Sequence, residues 1–342
     1  MSRSHFSLAL AALFLTASAC RRNDTENRRQ VVVYTALDRS FSEPILTEFE
    51  RRTGIRTFAV YDTESTKSVG LTNRIRAERN RPRCDVFWNN EILNTLLLKH
   101  EGLLRPIQPA NAAYYPESMK DADGTWFGFA ARARVLIVNT TLVHENDLPR
   151  SMYDLVDPKW AGRIGIAKPV AGTAATHAAC LFQRLGNDAA QRYFRDLLAN
   201  DVQIESGNKS CAERVGSGTL ALAWTDTDDA VVEIDSGSPV VIVYPDIGPD
   251  KVGTLFIPNT LAAVRNSPHP AEAVSLIDFL LSAEIETRLA RGSSAQIPLN
   301  RQVNISTRLK RPDQVQAMVV DFTRAATQWN RAQHFIHAEF IR

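Results

Sequence analysis

The sequence predicts an α/β protein made of two lobes, and three observations support this fold class. The chain has 342 residues, enough for one large domain or two of ordinary size. From Val31 onward, short apolar runs alternate with amphipathic segments, the pattern of a sheet flanked by helices. Two long β-like stretches, 125–139 and 253–264, interrupt this alternation. We therefore expect two α/β halves joined by two extended crossings, each half a mixed sheet, with a ligand cleft at the hinge.

Each element follows from a local pattern. The run VVVYT at 31–35 is rich in β-branched residues and predicts the first strand. Ser40 is the expected N-cap of the first helix, and Gly54 its stop. The other strands are predicted at 55–61, 85–88, 125–139, 163–167, 202–204, 219–224, 240–244 and 253–264. The other helices are predicted at 67–79, 90–100, 174–185, 188–199, 209–216, 270–281, 283–291 and 313–331.

The N-terminus carries the pattern of a lipoprotein signal. Residues 6–19 form an apolar run of signal-peptide length, too short to span a bilayer. Cys20 follows small residues, as in bacterial signals whose cysteine is lipidated. An ordinary secretory signal cleaved near Ala19 is the alternative. We expect 1–20 to be the signal peptide and 21–30 a polar tether, so that the protein lies outside the cytoplasm and meets the membrane through its lipid only.

Composition and motifs exclude several classes. The 40 basic against 38 acidic residues give a net charge of +2, which argues against a nucleic-acid binder. No GxSxG, HExxH or GxxxxGK[ST] motif occurs, so we expect no enzyme and no catalytic cofactor. Beyond Cys20, three cysteines remain. If a disulfide forms, Cys180 and Cys211 are the expected pair; the alternative is that both are buried thiols.

Eight segments spread over the mature chain resemble one known family, the extracellular solute-binding proteins of ABC transporters, and within it the ferric-iron-binding branch. The segments are VVVYTALD (31–38), EFERRTGI (48–55), RCDVFWNNE (83–91), GLLRPI (102–107), GFAARARVLIVNT (128–140), DLVDPKWAGRIGIAKP (154–169), LALAWTDTDDA (220–230) and LIDFLLSAEIETRLARGSSAQIPL (276–299).

The resemblance implies a type II periplasmic binding fold and a role in transport. The chain would capture iron(III), with an accompanying anion, or a related small solute between its lobes. Its expected partners are an ABC permease and that permease's ATPase, and a monomer is expected. On this reading lobe 1 comprises 31–130 and 256–310, lobe 2 comprises 131–255, and 311–342 form a C-terminal helical segment.

The chain departs from the ferric-binding pattern at the expected ligand positions. Asp38 stands near the place of a histidine that often follows the first strand, and Asn90 and Glu91 stand where a glutamate often follows the third. The adjacent tyrosines of the ferric-binding proteins are replaced by TDTDD at 225–229. The resemblance therefore implies a site built from carboxylates in place of tyrosines.

The residues themselves indicate three uses for this acidic cluster. Asp226, Asp228 and Asp229 follow an apolar strand, and such close carboxylates repel one another unless a cation or solvent separates them. They could bind a hard metal ion or the ammonium group of an organic ligand. The third interpretation is local, with Asp226 capping a helix and the others complementing its dipole.

Three loops that open helices could hold an anion through hydroxyl and backbone N–H groups. They contain Thr66 with its two preceding residues, Thr173, and Asn208. The candidate ligand-binding residues are Asp38, Glu64, Ser65, Thr66, Asn90, Glu91, Thr173, Asn208, Asp226, Thr227 and Asp228. The candidate metal ligands among them are Asp38, Glu91, Asp226 and Asp228.

Other interpretations stay open at this stage. A small organic anion or zwitterion, such as an aminophosphonate, would use both the acids and the helix starts. Asp226 and Asp228 also fit the paired aspartates of a Mg²⁺-dependent phosphatase, although these usually follow the first strand of the chain. Trp88 and Trp224 either contact the ligand or belong to the core. Arg132 and Arg134 are either hinge or anion contacts or the exposed positions of a half-buried strand.

Overall fold

The computed structural model of the protein describes residues 29–63 and 66–340. The predicted signal peptide with Cys20, most of the tether, and the candidate ligands Glu64 and Ser65 lie outside the described residues.

The described chain alternates strands and helices over most of its length. The strands are β1 (Gln30–Thr35), β2 (Arg56–Tyr61), β3 (Val86–Asn89), β4 (Leu104–Arg105), β5 (Phe127–Asn139), β6 (Ile164–Ala167), β7 (Gln203–Glu205), β8 (Leu222–Asp226), β9 (Val240–Val243) and β10 (Phe256–Val264). The helices are α1 (Arg39–Thr53), α2 (Val69–Ala77), α3 (Leu93–His100), α4 (Gly172–Leu185), α5 (Asn187–Ala199), α6 (Asn208–Gly216), α7 (Thr227–Asp235), α8 (Pro270–Leu280), α9 (Ala283–Arg291) and α10 (Phe322–Phe340).

The strands form one mixed sheet in the order β2-β1-β3-β10-β5-β8-β6-β7, with β4 on β10 and β9 on β5. The long strand β5 changes partners along its length. Its residues 127–133 pair with β10, and its residues 134–139 pair with β8 and β9. We call the β1–β4, β10 side lobe 1 and the β6–β9 side lobe 2. The predicted two-lobed α/β fold is confirmed, while the exact lobe limits stay a prediction.

Helix α10 ties the two lobes together by apolar packing. It packs against both α3, which follows β3 in lobe 1, and α4, which follows β6 in lobe 2. Phe335 of α10 lies 5.8 Å, between ring centroids, from Phe182 of α4. Burial of this shared apolar surface stabilises the contact between the lobes.

Several predicted helix limits were wrong, among them the starts of α1, α3 and α10, and α7 was not among the predicted helices. Helix α1 begins at Arg39 with Asp38, not Ser40, in the N-cap position. Helix α3 begins at Leu93 because the carboxylate of Glu91 accepts the first free N–H groups there. The C-terminal helix begins at Phe322, not 313, and the carboxylate of Asp321 accepts the Arg324 N–H at 3.0 Å.

The three cysteines of the described chain, Cys84, Cys180 and Cys211, are buried free thiols. Burial raises the pKa of both the Cys180 and the Cys211 thiol. The alternative of buried thiols thus holds, and the disulfide interpretation of Cys180 and Cys211 was wrong.

Within residues 29–63 and 66–340, no helix combines the length and the apolar content needed to cross a membrane.

Candidate functional site

A cavity of about 380 Å³ lies between the two lobes, at the ends of β1, β3, β6 and β8. This is the place where ligands bind in open α/β sheets, since carboxyl ends of strands and N-termini of helices converge there. Lobe 1 contributes Leu37, Asp38, Phe41, Lys67 and Asn90. Lobe 2 contributes residues from the starts of α4, α6 and α7, and Arg132 of β5 lies at the crossing between the lobes.

The acidic cluster after β8 forms one wall of this cavity. Carboxylate oxygens of Asp226, Asp228 and Asp229 lie within 4.8 Å of one another. The sharp change from β8 to α7 places them together, because Asp226 is the last residue of the strand and the other two lie in the first turn of the helix. This spacing allows a shared cation to contact several carboxylates.

Asp226 is buried and fully hydrogen bonded. Its Oδ1 accepts from Arg134 Nη1 at 2.8 Å. Its Oδ2 accepts from the Thr173 hydroxyl and from Asn208 Nδ2, the latter at 3.1 Å. Asp226 occupies the N-cap position of α7, but its side chain makes no capping hydrogen bond. The capping interpretation is therefore wrong for this carboxylate, whose bonds hold the starts of α4 and α6 to the end of β8.

Asp228 is paired less completely. Its Oδ2 lies 3.5 Å from Arg132 Nε, and its side chain is 13% exposed. Among the described residues, neither its Oδ1 nor Arg132 Nε has a hydrogen-bond partner. Burial raises the pKa of Asp228, Arg132 lowers it, and Asp226 raises it further, with a net upward shift. A carboxylate in this state gains energy from a ligand that brings positive charge.

Arg132 is a buried cation at the back of the cavity. It is 3% exposed, and its Nη2 donates to Asn259 Oδ1 at 3.1 Å. Burial lowers the pKa of its guanidinium, but the neighbouring carboxylates, led by Asp228, raise it above the ordinary value. Arg132 and Arg134 are both buried, so the interpretation of these two arginines as exposed strand positions was wrong.

Lobe 1 faces the cluster with an ion pair. Lys67 Nζ lies 2.6 Å from Asp38 Oδ1, and the Asp38 side chain is 45% exposed. Asn90 lines the same wall, is 2% exposed, and its Oδ1 has no hydrogen-bond partner in the described part of the chain. Four acidic side chains (Asp38, Asp226, Asp228 and Asp229) and three basic ones (Lys67, Arg132 and Lys168) line the cavity.

Six of the predicted ligand residues therefore come together: Asp38, Asn90, Thr173, Asn208, Asp226 and Asp228. Thr227 and Thr66 do not line the cavity. The Thr227 hydroxyl is buried and accepts the Ala133 N–H at 3.1 Å. The Thr66 hydroxyl donates to Asp62 at 2.8 Å. Thr227 therefore holds the backbone of β5, and Thr66 holds the side chain of Asp62.

Glu91, predicted as a metal ligand, also lies outside the cavity lining. It is 0% exposed, and its carboxylate accepts the N–H groups of Leu93 and Asn94, the Asn89 amide and the Thr176 hydroxyl. These bonds occupy the oxygens that a metal would need. The structure thus corrects this prediction and gives Glu91 the role of a buried cap for α3.

The aromatic candidates belong to the core. Trp88 is 0% exposed and packs on Phe129. Trp224 packs edge-on against His177, and its Nε1 donates to the Tyr193 hydroxyl at 3.1 Å. Burial lowers the pKa of His177 well below its ordinary value, so this imidazole is neutral. Trp88 and Trp224 are therefore core residues and not ligand contacts.

Sequence reasoning named Arg132 as a possible anion contact but missed the two lysines of the cavity, Lys67 and Lys168. Lys168 follows β6 directly, and Lys67 precedes α2. A search for charged residues just past strand ends would have found Lys168. Lys67 was predicted as the start of a helix that follows an anion-binding loop, but the charge of its side chain was not considered.

Comparison with known proteins places the chain in a family. Residues 94–326 match the sequence model of a family described as bacterial extracellular solute-binding protein. Iron uptake protein A1 of Synechocystis sp. is 26% identical over 297 residues, covering 82% of this chain and 80% of that protein.

Two solved structures have the same fold. Iron-bound HitA from Pseudomonas aeruginosa gives a TM-score of 0.81 at 24% identity, covering 90% of this chain and 99% of HitA. AfuA from Actinobacillus pleuropneumoniae, with fructose-6-phosphate bound, gives a TM-score of 0.81 at 21% identity and covers 92% and 99%. The chain therefore belongs to the bacterial extracellular solute-binding proteins and has the type II periplasmic binding fold.

Proposed function

We propose that this protein is the substrate-binding lipoprotein of an ABC importer and that it captures iron(III) together with a small anion. The observation that carries the proposal is the group of three carboxylates within 4.8 Å of one another in the cavity between the lobes. Iron is also the cargo named for the Synechocystis relative. The protein acts by binding and release, and it hands the cargo to a permease driven by an ATPase.

The acidic wall supplies ligands for a hard cation. Ferric iron prefers anionic oxygen ligands, and carboxylates provide them where phenolates are lacking. Asp228 offers an oxygen that has no hydrogen-bond partner in the described part of the chain, whereas the oxygens of Asp226 already hold Arg134 and Thr173. Asp229 lies in the same turn of α7 as Asp228. Asp38 lines the same cavity from lobe 1 and offers a further carboxylate.

The basic wall supplies a place for the accompanying anion. Lys67 and Lys168 line the cavity beside the first turns of α4 and α6, whose N–H groups and dipoles favour negative charge. Arg132 stands between this wall and Asp228. An anion bound here offsets the repulsion that these cations exert on the metal, which explains why both signs of charge share one cavity.

The location follows from the same proposal. Cys20 carries the lipid, the tether of 21–30 leads to the folded domain, and the domain works as a monomer outside the cytoplasmic membrane. Globomycin, which blocks cleavage of lipoprotein signals, provides a check. We expect the precursor to accumulate in treated cells, and Cys20→Ser to release the protein from the membrane fraction. A Cys20→Ser protein that stays membrane-bound would contradict the anchor.

The cargo is tested with the mature chain from residue 21, purified without chelator, exposed to ferric citrate and desalted. We expect iron in equimolar amount by elemental analysis, and less iron when ferric chloride is supplied at equal concentration without citrate. The chain treated with Zn²⁺ citrate is the matched control for non-specific carboxylate binding. Absence of retained iron would contradict the proposal.

A second candidate cargo is a small zwitterion such as an aminophosphonate. The observation that favours it is the cavity itself, which at about 380 Å³ exceeds a bare ion and is lined by three cations and no tyrosine among the described residues. The structurally similar AfuA contains a phosphorylated sugar. A thermal-shift screen separates the candidates. A rise in melting temperature with aminoethylphosphonate, and none with ferric citrate, would favour the zwitterion.

A further inference from the structure

The carboxylate of Glu91 belongs to lobe 1 but also reaches lobe 2. Within lobe 1 it accepts the Leu93 N–H, the Asn94 N–H at 3.0 Å and the Asn89 amide at 2.8 Å. Its Oε2 additionally accepts the hydroxyl of Thr176, in α4 of lobe 2, at 2.8 Å. Glu91 and Thr176 are both 0% exposed, so this hydrogen bond crosses the lobe boundary without contact with solvent.

A second hydrogen bond joins the same two elements. The N–H of Gly172, the first residue of α4, donates to the carbonyl of Lys67 in lobe 1 at 3.0 Å. Gly172 and Thr173 line the ligand cavity, and Thr176 lies one turn further along the helix. The first two turns of α4 therefore contact the ligand cavity and dock on lobe 1 at the same time.

The bond from Thr176 suits a contact that forms and breaks. Glu91 keeps three partners within lobe 1 when Thr176 leaves, so opening the lobes does not unfold the start of α3. A hydrogen bond to a buried carboxylate is stronger than one between neutral groups. When the lobes open, water replaces the Thr176 hydroxyl and part of the energy of this hydrogen bond is lost. The bond therefore stabilises the state in which the lobes touch.

We propose that Thr176 and Glu91 form an interlobe latch that positions the start of α4 over the bound cargo and slows its release. The latch concerns closure of the site described under the proposed function and rests on that function for its purpose. The bond pulls α4 toward lobe 1, and α4 carries Thr173, which holds Asp226. Thr176 acts as a positioning residue, since it lies outside the cavity lining.

The test uses Thr176→Val, which keeps the shape of the side chain and removes its hydroxyl. The protein is loaded with ferric citrate, and iron release to excess EDTA is followed in time. We expect release about tenfold faster than in the wild type, because the hydroxyl of Thr176 no longer holds α4 against lobe 1. Thr176→Ser restores the hydroxyl and should restore slow release.

Two further variants separate the latch from a general loss of stability. Thr72→Val removes a buried hydroxyl that bonds only within lobe 1, to the Ser68 carbonyl at 2.7 Å, and should leave release unchanged. Thr176→Ala replaces Thr176→Val if the valine protein does not fold. Small-angle X-ray scattering without cargo should give a larger radius of gyration for the Thr176 variants than for the wild type or Thr72→Val.

Equal release rates and equal radii in the wild type and Thr176→Val would overturn the latch. If the wild type retains no iron, the proposed cargo is wrong, and the scattering comparison alone decides the latch: a larger radius in Thr176→Val supports it and an equal radius overturns it. Failure of the latch and failure of the proposed cargo therefore give different results.

Discussion

At the scale of single residues, the acids of the cavity differ in their bonds although they are neighbours in sequence. The carboxylate oxygens of Asp226 accept hydrogen bonds from Arg134, Thr173 and Asn208. These bonds hold α4 and α6 to the end of β8 in lobe 2. Within the described chain Asp228 pairs with Arg132 Nε at 3.5 Å, and burial raises its pKa by more than Arg132 and Lys67 lower it. A cation that binds at Asp228 would therefore gain a favourable interaction with its carboxylate, whereas the hydrogen bonds of Asp226 already stabilise the fold.

Replacing Asp228 with asparagine should weaken iron binding by at least about tenfold, because a neutral amide is a poor ligand for a hard cation. The melting temperature of the cargo-free protein should change little, because removal of an incompletely paired buried carboxylate offsets the loss of a counter-charge for Arg132, which keeps Asn259 and Asp226 nearby. Isothermal calorimetry with ferric citrate measures the affinity. Asp235→Asn, at the exposed end of the same helix, is the matched control.

Unchanged iron affinity in Asp228→Asn would remove the carboxylate of Asp228 from the site. Loss of affinity in Asp235→Asn to the same degree would show that any change in α7 disturbs binding, and the assignment of Asp228 as a ligand would lose its support.

At the scale of elements, the strand crossing near β5 is held by a buried acid of α9. The carboxylate of Glu286 accepts N–H groups from Ala130 at 2.6 Å, from Leu299 at 2.9 Å and from Asn300 at 2.6 Å. Ala130 has a φ of +43°, a conformation that needs such support in a residue with a Cβ. Burial raises the pKa of Glu286 to about 7, against the lowering effect of these N–H groups.

This raised pKa predicts a pH dependence of stability. The folded protein holds the Glu286 proton more tightly than the unfolded chain, whose value is near 4.5. The contribution of Glu286 is therefore fully present below pH 4.5 and is lost as the pH rises to about 7. Relative to Glu286→Gln, the wild-type free energy of unfolding should fall by roughly 3 kcal/mol over this window. Urea denaturation of both proteins at several pH values measures it.

Parallel stability profiles for the wild type and Glu286→Gln would contradict a raised pKa at this position. A difference that grows in the opposite direction, with the wild type gaining stability as the pH rises, would mean that the N–H groups outweigh burial and that the carboxylate is charged throughout.

At the scale of the whole molecule, the sequence predicted what depends on local pattern. Alternating strands and helices, the strand β5 and the acids after β8 were all visible in the order of residues. The role of Glu91 was not, because its carboxylate is used by the N–H groups of α3 and by Thr176, 85 residues away along the chain. The sequence also placed α10 nine residues too early, since its apolar stripe continues past 331 through Phe335 to Phe340.

The basic wall of the cavity likewise could not be predicted from local sequence pattern. Lys67, Arg132 and Lys168 come from three distant segments, and only the folded sheet brings them to one cavity. Spacing along the chain carries no information about such a group. The resemblance to ferric-binding proteins likewise covered the fold and the acidic positions, but it did not indicate which carboxylates the fold itself would occupy.

The most direct test of iron capture by the acidic cluster is the position of the metal. Crystals grown with ferric citrate and measured on both sides of the iron absorption edge give an anomalous difference map. We predict one strong peak in the cavity between the lobes, at coordination distance from the carboxylate of Asp228. A map with no peak in the cavity, while Asp228 still pairs with Arg132, would contradict this account of the site.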